Sequence, residues 1–247
     1  MSQRYYSNIY WHFTGSPAGV DWSKASCPKY ITDQNPILSN ESAARTLNLI
    51  INSHTLKATC TEKISERKET DPFCCVTDIP LKDLPSHAPY YGKVAIGFKA
   101  QAIHKHFVPV LYIPKQNLPI IEKLLPNREL VKRAFQQLEY QGSFQEQQAK
   151  KLLAAASYKK EVVEEIDDEV ITGFLANFIK ITNFDTDPEN TYYREREWRG
   201  IGDFSFQNSD IEAVVAPSDV LPIIKKKLQE LNIENVNIIS WEFIENS

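Results

Sequence analysis

The sequence is poor in glycine and in cysteine, and each shortage excludes a class of site. Its 247 residues include 8 glycines, about half of the roughly 17 that average usage would give. The glycine-rich loops that hold phosphate groups, among them the P-loop and the G-x-G-x-x-G turn, are absent. The cysteines show no C-x-x-C spacing and are too few for a disulfide framework. We therefore expect reduced thiols packed as small hydrophobic side chains at Cys27, Cys60, Cys74 and Cys75.

The sequence also lacks a long hydrophobic run and an excess of positive charge. It begins without a basic region followed by an apolar segment, and no stretch approaches the roughly 18 apolar residues of a membrane span. We therefore expect a cytoplasmic protein with no membrane partner. The formal net charge of −4 gives no general attraction to phosphate backbones. A nucleic acid, as ligand or acceptor, would have to be bound by local basic groups such as Lys225–Lys227.

One histidine pair has a spacing found in metal sites. His104 and His106 form an H-x-H pair, but a metal needs a third and a fourth ligand. No C-x-x-C or H-E-x-x-H motif accompanies the pair. The sequence therefore predicts no metal site.

Hydrophobic periodicity in the first half of the chain predicts both strands and a helix. Residues 39–54 have apolar positions at helical spacing, with Ser39 or Asn40 as the cap. The segment 61–71 has no clear periodicity and is interpreted as a surface loop, and 81–92 as a proline-punctuated loop. Strands are predicted at 7–14, 73–76, 93–99 and 108–114.

The second half changes character twice. Residues 118–181 are rich in Gln, Glu, Lys, Leu and Ala at helical spacing, which predicts a helical insertion. An acidic turn at 183–190 precedes a predicted strand, YYREREWRGIGDF, at 192–204. The end of the chain is interpreted as a strand-helix-strand unit at 211–216, 218–231 and 235–244. The prediction is one α+β domain over 1–247, with a mixed or antiparallel sheet as its core.

The first candidate site lies on the early strand. Alternation puts Tyr10, His12 and Thr14 on one face and Trp11 and Phe13 on the other. An imidazole and a hydroxyl on one face can bind a ligand, because both donate and accept hydrogen bonds. A half-buried structural histidine explains the same pattern.

The second candidate site is the densest polar cluster in the sequence. On a strand, Glu195, Glu197 and Arg199 would share one face. A carboxylate oriented by Arg199 could accept a hydrogen bond from a substrate hydroxyl or stabilise a developing cation. A solvated ladder of ion pairs explains the same composition.

The third candidate site is the loop SHAPYYG. His87, Tyr90 and Tyr91 lie within five residues of one another. Adjacent tyrosines on a loop can stack on a planar ring such as a base or nicotinamide. Alternatively, one ring lies in the core and the other at its rim.

Three motifs resemble those of AbiGi-type abortive-infection proteins of bacterial phage defence. They are PFCCVTDIPLKDLPSHAPYYGKVAIGFKAQAI at 72–103, VPVLYIP at 108–114 and YREREWR at 193–199. The AbiGi protein is described as the antitoxin of a two-component system. The resemblance therefore implies a defence role and a protein partner, without implying catalysis.

A more distant resemblance concerns chemistry. The order of an H-x-T strand, a tyrosine-bearing loop and a late glutamate is similar to the His-Tyr-Glu arrangement of ADP-ribosyltransferases. This resemblance implies that NAD is a co-substrate, that His12 holds a ribose hydroxyl and that Tyr90 or Tyr91 stacks on nicotinamide. It gives the glutamate role to Glu197, or to Glu195.

Two hypotheses follow. In the first, the protein is an NAD-dependent ADP-ribosyltransferase or other NAD-consuming effector of phage defence, with His12, Thr14, a loop tyrosine, Glu195, Glu197 and Arg199 in one cleft. In the second, it is a non-catalytic antitoxin or sensor whose YYREREWR strand pairs with a protein partner. The first requires the fold to bring His12 and Glu197 together.

Overall fold

The structure is a computed structural model that describes residues 7–22, 24–65, 68–120 and 174–246. Helices and strands are numbered in chain order within these ranges. The strands are β1 (Ile9–Phe13), β2 (Thr55–Leu56), β3 (Lys63–Ser65), β4 (Lys68–Glu69), β5 (Phe73–Thr77), β6 (Ala95–Lys99), β7 (Val108–Pro109), β8 (Leu111–Pro114), β9 (Ile179–Thr182), β10 (Glu197–Ile201), β11 (Phe204–Ser205), β12 (Ile211–Ala216) and β13 (Asn237–Ser240). The α-helices are α1 (Pro28–Gln34), α2 (Asn40–Ser53), α3 (Ala88–Tyr91), α4 (Ala100–Ile103), α5 (Leu221–Glu230) and α6 (Trp241–Glu245).

A seven-stranded sheet organises the molecule, in the order β13-β12-β6-β1-β5-β10-β7. Its neighbours are antiparallel except for β12 and β13, which run parallel. The predicted α+β class with a mixed sheet is therefore confirmed. No helix in the described ranges is long and apolar enough to cross a membrane.

Helices cover both faces of this sheet. On one face, α2 and α5 pack through buried residues that include Leu47, Ile51, Ile224 and Leu228. On the other face, α3 and α6 pack with a 3₁₀-helix, Leu81–Ser86, around Trp11. Because apolar layers cover both faces of the sheet, side chains on either side of a central strand are buried and stabilise the fold.

Helix α2 forms where its periodicity predicts it. The hydroxyl of Ser39 accepts a hydrogen bond from the Ser42 amide, which caps the first turn. The apolar residues that recur every three to four positions are buried against the sheet. The helix ends at His54, which adopts the left-handed conformation.

The sheet parts between β1 and β5. These two strands are joined by a single register pair, Trp11 opposite Thr77. From that pair, β1 continues along β6 to Phe13, whereas β5 continues along β10 to Phe73. The two strands therefore diverge, and the space between them is open to a ligand.

Several sequence predictions are wrong in detail because short elements leave weak periodic signals. The predicted loop at 61–71 contains the hairpin β3–β4, and the predicted loop at 81–92 is mostly helical. The strand predicted at 192–204 begins at β10, because Tyr193–Glu195 is a 3₁₀-helix and Arg196 is left-handed. The strand predicted at 235–244 stops at Ser240, whose hydroxyl caps α6.

Most of the predicted helical insertion, 121–173, lies outside the described residues. Residues 118–120 and 174–175 are helical, and Ala176–Phe178 is a 3₁₀-helix. Residues at the end of the predicted insertion, however, form strand β9, which pairs in parallel with β8. The isoleucines at 179 and 181 flank Lys180, an alternation that fits a strand better than a helix.

Candidate functional site

A cleft of about 320 Å³ lies where β1 and β5 diverge. One wall comes from the end of β1 and from α2, and the opposite wall comes from β5 and the start of β10. The residues of the predicted sites that line it are His12, Thr14, His87, Tyr91, Glu195 and Glu197. The fold therefore brings His12 and Glu197 into one cleft, although they are far apart in the sequence.

His12 bridges the gap between the diverging strands. Its Nδ1 lies 2.9 Å from the carbonyl oxygen of Cys75 on β5. Because a carbonyl only accepts, Nδ1 carries the proton, and burial lowers the pKa of His12 so that the ring stays neutral. Nε2 is then an acceptor, and it has no hydrogen-bond partner among the described residues.

The opposite wall holds a buried cluster of charges. The carboxylate of Glu197 accepts hydrogen bonds from Arg199 Nε at 2.7 Å and from Lys180 Nζ at 2.8 Å. Lys180 Nζ also lies 3.2 Å from Glu195 and 3.1 Å from Glu62. Arg199 pairs with Glu62 as well. The cluster therefore has three carboxylates and two cations.

Local backbone geometry brings the two neighbouring glutamates to one lysine. Arg196, between them, adopts φ 46°, and this left-handed residue separates the 3₁₀-helix from β10. The Thr77 hydroxyl donates to the carbonyl oxygen of Glu195, and the Asp78 amide donates to that of Arg196 at 3.1 Å. These bonds hold the turn against β5.

The excess carboxylate gives the two glutamates opposite protonation behaviour. Burial raises the pKa of Glu195 to about 7, and the attraction of Lys180 only partly offsets this. Burial acts on Glu197 as well, but Arg199 and Lys180 outweigh it and lower its pKa to about 2. Burial alone would lower the pKa of Lys180, but its carboxylates raise it well above the ordinary value. Near neutral pH these two glutamates thus differ, because Glu197 is a permanent carboxylate and Glu195 can gain or lose a proton.

Tyr91 joins this cluster to an aromatic group. Its hydroxyl donates to Glu195, and burial raises the pKa of the phenol well above its usual range. Its ring lies near Phe13 and near His87, which itself stacks on Phe13 at 6.1 Å between centroids. Tyr91 is therefore held in place from both ends.

Some of the predicted site residues are committed elsewhere. Arg199 is fully buried behind Glu197, and its remaining contacts are Glu62, the Asn177 carbonyl and the Phe73 ring, so it orients carboxylates and does not line the cleft. Tyr90 is likewise outside the cleft lining. The Thr14 hydroxyl donates to the Ala43 carbonyl of α2 at 2.9 Å.

Two residues of the charge cluster, Glu62 and Lys180, were not predicted from the sequence. Glu62 stands in a segment without periodicity, and nothing in the sequence distinguishes it from other surface glutamates. Lys180 stands between isoleucines in an alternating run, and that alternation was the signal that could have identified a strand carrying one inward charge.

The other reactive residue types have structural surroundings. Burial raises the pKa of the Cys60 thiol to about 11, that of Cys74 to about 12 and that of Cys75 well above its usual value, so these thiols stay protonated. His104 hydrogen-bonds to the Tyr10 hydroxyl and stacks on Trp198. In the part of the chain that the structure describes, no group of three or more His, Cys, Asp or Glu residues is arranged to hold a metal ion.

A family model with the description "Putative abortive phage resistance protein AbiGi, antitoxin" matches residues 52–237. The chain belongs to the AbiGi family. The matched range includes β5, α3, β9 and β10, and so most of the cleft wall that carries the charge cluster. His12 and β1 lie before the matched range.

This AbiGi family member also has a remote similarity to one solved structure. The chain is similar to a solved structure of Thermus sp. 2.9 DarT in complex with carba-NAD⁺, with 13% identity, 94% coverage of each chain and a TM-score of 0.37. A TM-score of that size does not establish a shared fold. No curated protein matches the chain.

Proposed function

We propose that this AbiGi family member cleaves the bond between nicotinamide and ribose in NAD⁺ and transfers ADP-ribose to an acceptor during phage defence. The observation that carries this proposal is the single cleft lined by His12 on one side and by Glu195 and Glu197 on the other. The family description supports the defence context.

The chemistry needs a stable negative charge near the ribose. When the bond to nicotinamide breaks, its electron pair leaves with the neutral base, and positive charge develops on the ribose. A carboxylate that stays ionised stabilises this charge in a water-poor site. Glu197 has that character, because two cations keep its pKa low.

The Glu197 carboxylate can also accept a hydrogen bond from a ligand. Its carboxylate accepts from Arg199 through Nε and more distantly through Nη2, and from Lys180. A carboxylate has about four acceptor sites. One therefore stays free for a ribose hydroxyl.

Three other cleft residues take complementary roles. His12, neutral and with a free Nε2 acceptor, receives a hydrogen bond from a second ribose hydroxyl. Glu195, with a pKa of about 7, accepts the proton that the acceptor nucleophile loses as it forms its bond to ribose. Tyr91 orients Glu195 and offers one side of its ring to the nicotinamide.

The size of the cleft limits what it holds. Ligand sites commonly have volumes of about 300 to 1,000 Å³, and this cleft, at about 320 Å³, is at the small end. It fits the nicotinamide riboside half of the dinucleotide better than the whole molecule.

The test is nicotinamide release from NAD⁺ by the purified chain. Two variants, Glu197→Gln and His12→Ala, change opposite walls of the cleft. Loss of the electrostatic group at Glu197 should lower the rate by about a hundredfold or more, since such groups contribute on the order of 3 kcal/mol to the barrier. His106→Ala, which changes an exposed histidine outside the cleft, is the matched control and should keep full activity.

Glu197→Gln leaves two buried cations short of a partner, so its folding is checked by thermal unfolding. His12→Ala removes no ion pair and tests the same cleft if the first variant does not fold. A folded Glu197→Gln variant with full activity would contradict the proposal, and so would an inactive wild-type chain.

A second candidate function is that of an antitoxin that binds a protein partner. The family description, which includes the word antitoxin, favours it. The partner would not pair with the YYREREWR strand, because β10 lies between β5 and β7 and its charged side chains are buried. If this role is the correct one, the chain will copurify with the product of an adjacent defence gene, and NAD⁺ will stay intact.

A further inference from the structure

A second cavity adjoins the cleft. It has a volume of about 190 Å³ and shares Trp22, Glu62 and Lys180 with the lining of the first. At that size it is smaller than a typical ligand site. The shared lining residues place it directly beside the cleft.

The second cavity differs from the first in charge. Lys63 and Lys115 line it, and within the ranges that the structure describes neither forms an ion pair. Lys24 also lines it but is paired with Asp21 at 2.8 Å. The two unpaired lysines therefore give this cavity an uncompensated positive charge.

The remaining charged groups of the second cavity are already satisfied. Lys180 donates hydrogen bonds to Glu195 and Glu197 and forms an ion pair with Glu62 at 3.1 Å, so its charge is already compensated. Glu62, the one carboxylate among the lining residues, pairs with Lys180 and Arg199. An anion entering the cavity would thus meet Lys63 and Lys115 without meeting a free carboxylate.

We infer that the second cavity is a phosphate subsite, in which Lys63 and Lys115 bind the diphosphate of the dinucleotide whose nicotinamide riboside half lies in the cleft. The identity of the ligand rests on the proposed function. The polar side chains of Ser26 and Asn183 supply uncharged donors in the same cavity. Lysine binds phosphate as a mobile point charge, which suits a subsite on exposed side chains.

The test compares two ligands that differ in their phosphates. NAD⁺ carries the diphosphate, whereas nicotinamide riboside keeps the same glycosidic bond and has no phosphate. The double variant Lys63→Ala/Lys115→Ala should weaken NAD⁺ binding, measured by calorimetry, by at least tenfold and leave nicotinamide riboside binding unchanged. Lys226→Ala, an exposed lysine of α5 that lines neither cavity, is the control.

Inorganic pyrophosphate separates this inference from the proposed function. If the wild-type chain binds pyrophosphate and the double variant does not, the subsite exists, whether or not NAD⁺ is cleaved. If nicotinamide is released and the double variant binds NAD⁺ as tightly as the wild type, the proposed function stands and the subsite is wrong. Equal loss of NAD⁺ and nicotinamide riboside binding would also overturn it, because the lysines would then act through the fold.

Discussion

Glu195 and Glu197 are separated by one residue, yet their surroundings push their pKa values in opposite directions. The difference arises because Arg199 contacts Glu197 and does not contact Glu195, while Lys180 is shared. Two carboxylates with separated pKa values are suited to different roles in one reaction. In the proposed reaction, the ionised carboxylate stabilises charge and the titrating one moves a proton.

The titration of Glu195 also affects folding. Its pKa is about 7 in the folded protein against an ordinary value of 4.5, so the folded state holds the proton more tightly. This contribution to stability is complete below about pH 4.5 and is lost as the pH rises through 7. Above that pH, the folded protein holds an excess buried carboxylate.

Glu195→Gln should therefore stabilise the protein in a pH-dependent way. The amide still accepts from Tyr91, and it leaves two carboxylates against two cations in the cluster. We expect little difference from wild type at pH 4.5 and a gain of about 1 to 3 kcal/mol in the free energy of unfolding at pH 8. Thermal unfolding between pH 4.5 and pH 8 measures this stability difference, and Glu234→Gln, at an exposed position, is the control. A gap that is constant with pH would contradict the assigned pKa.

At the scale of elements, the cleft depends on how β1 ends. Gly15 follows β1, and its amide donates to the Tyr91 carbonyl of α3 at 3.1 Å. A Cβ atom on Gly15 would lie 2.8 Å from that carbonyl oxygen and 2.9 Å from the Cα of Gly92. Because these are backbone atoms, they cannot rotate away. This contact fixes α3, and with it Tyr91, beside the cleft.

Gly15→Ala should therefore disturb stability and activity together. Overpacking of this kind costs about 1 to 3 kcal/mol, and we expect a lower melting temperature and slower nicotinamide release. Gly202→Ala is the comparison, since that glycine has φ 78° but no atom within 4 Å of the added Cβ. It should lose stability through backbone strain and release nicotinamide at the wild-type rate. Equal activity in the two variants would show that the contact does not position the site.

The long periodic elements could be predicted from the sequence, whereas the elements that complete the site could not. β1, β5, β6, β12, α2 and α5 have enough residues for alternation or helical spacing to be visible. Strand β3 has three residues and directly follows Glu62. Strand β9 has four residues and contains Lys180. Their positions depend on tertiary pairing, for which a few residues give no local signal. The serine at 240 is a recognisable helix cap that was available in the sequence.

No local signal in the sequence indicated that His12 and Glu197 would line the same cleft. Alternation gave the face of each strand correctly for His12, Glu197 and Arg199, but not which strands would be neighbours. The divergence of β1 and β5 is a property of the sheet, and it decides that the two residues line one cleft.

At the scale of the whole molecule, charge is distributed unevenly. The net charge is −4, yet the second cavity presents unpaired lysines beside a cluster with an excess carboxylate. This arrangement fits a ligand with a cationic end and an anionic end joined together. NAD⁺ has that distribution, with a pyridinium at one end and a diphosphate in the middle.

The measurement that tests the central claim most directly is a double-mutant cycle on nicotinamide release under single-turnover conditions. It compares wild type, His12→Ala, Glu197→Gln and the double variant, each confirmed as folded. Because the proposed function has His12 hold the ribose on which Glu197 acts, we predict strong coupling, so that the double variant is little slower than the slower single variant. The account of one shared cleft would be contradicted if the rate loss of the double variant equalled the product of the two single losses. A His12→Ala variant with full activity would also contradict it.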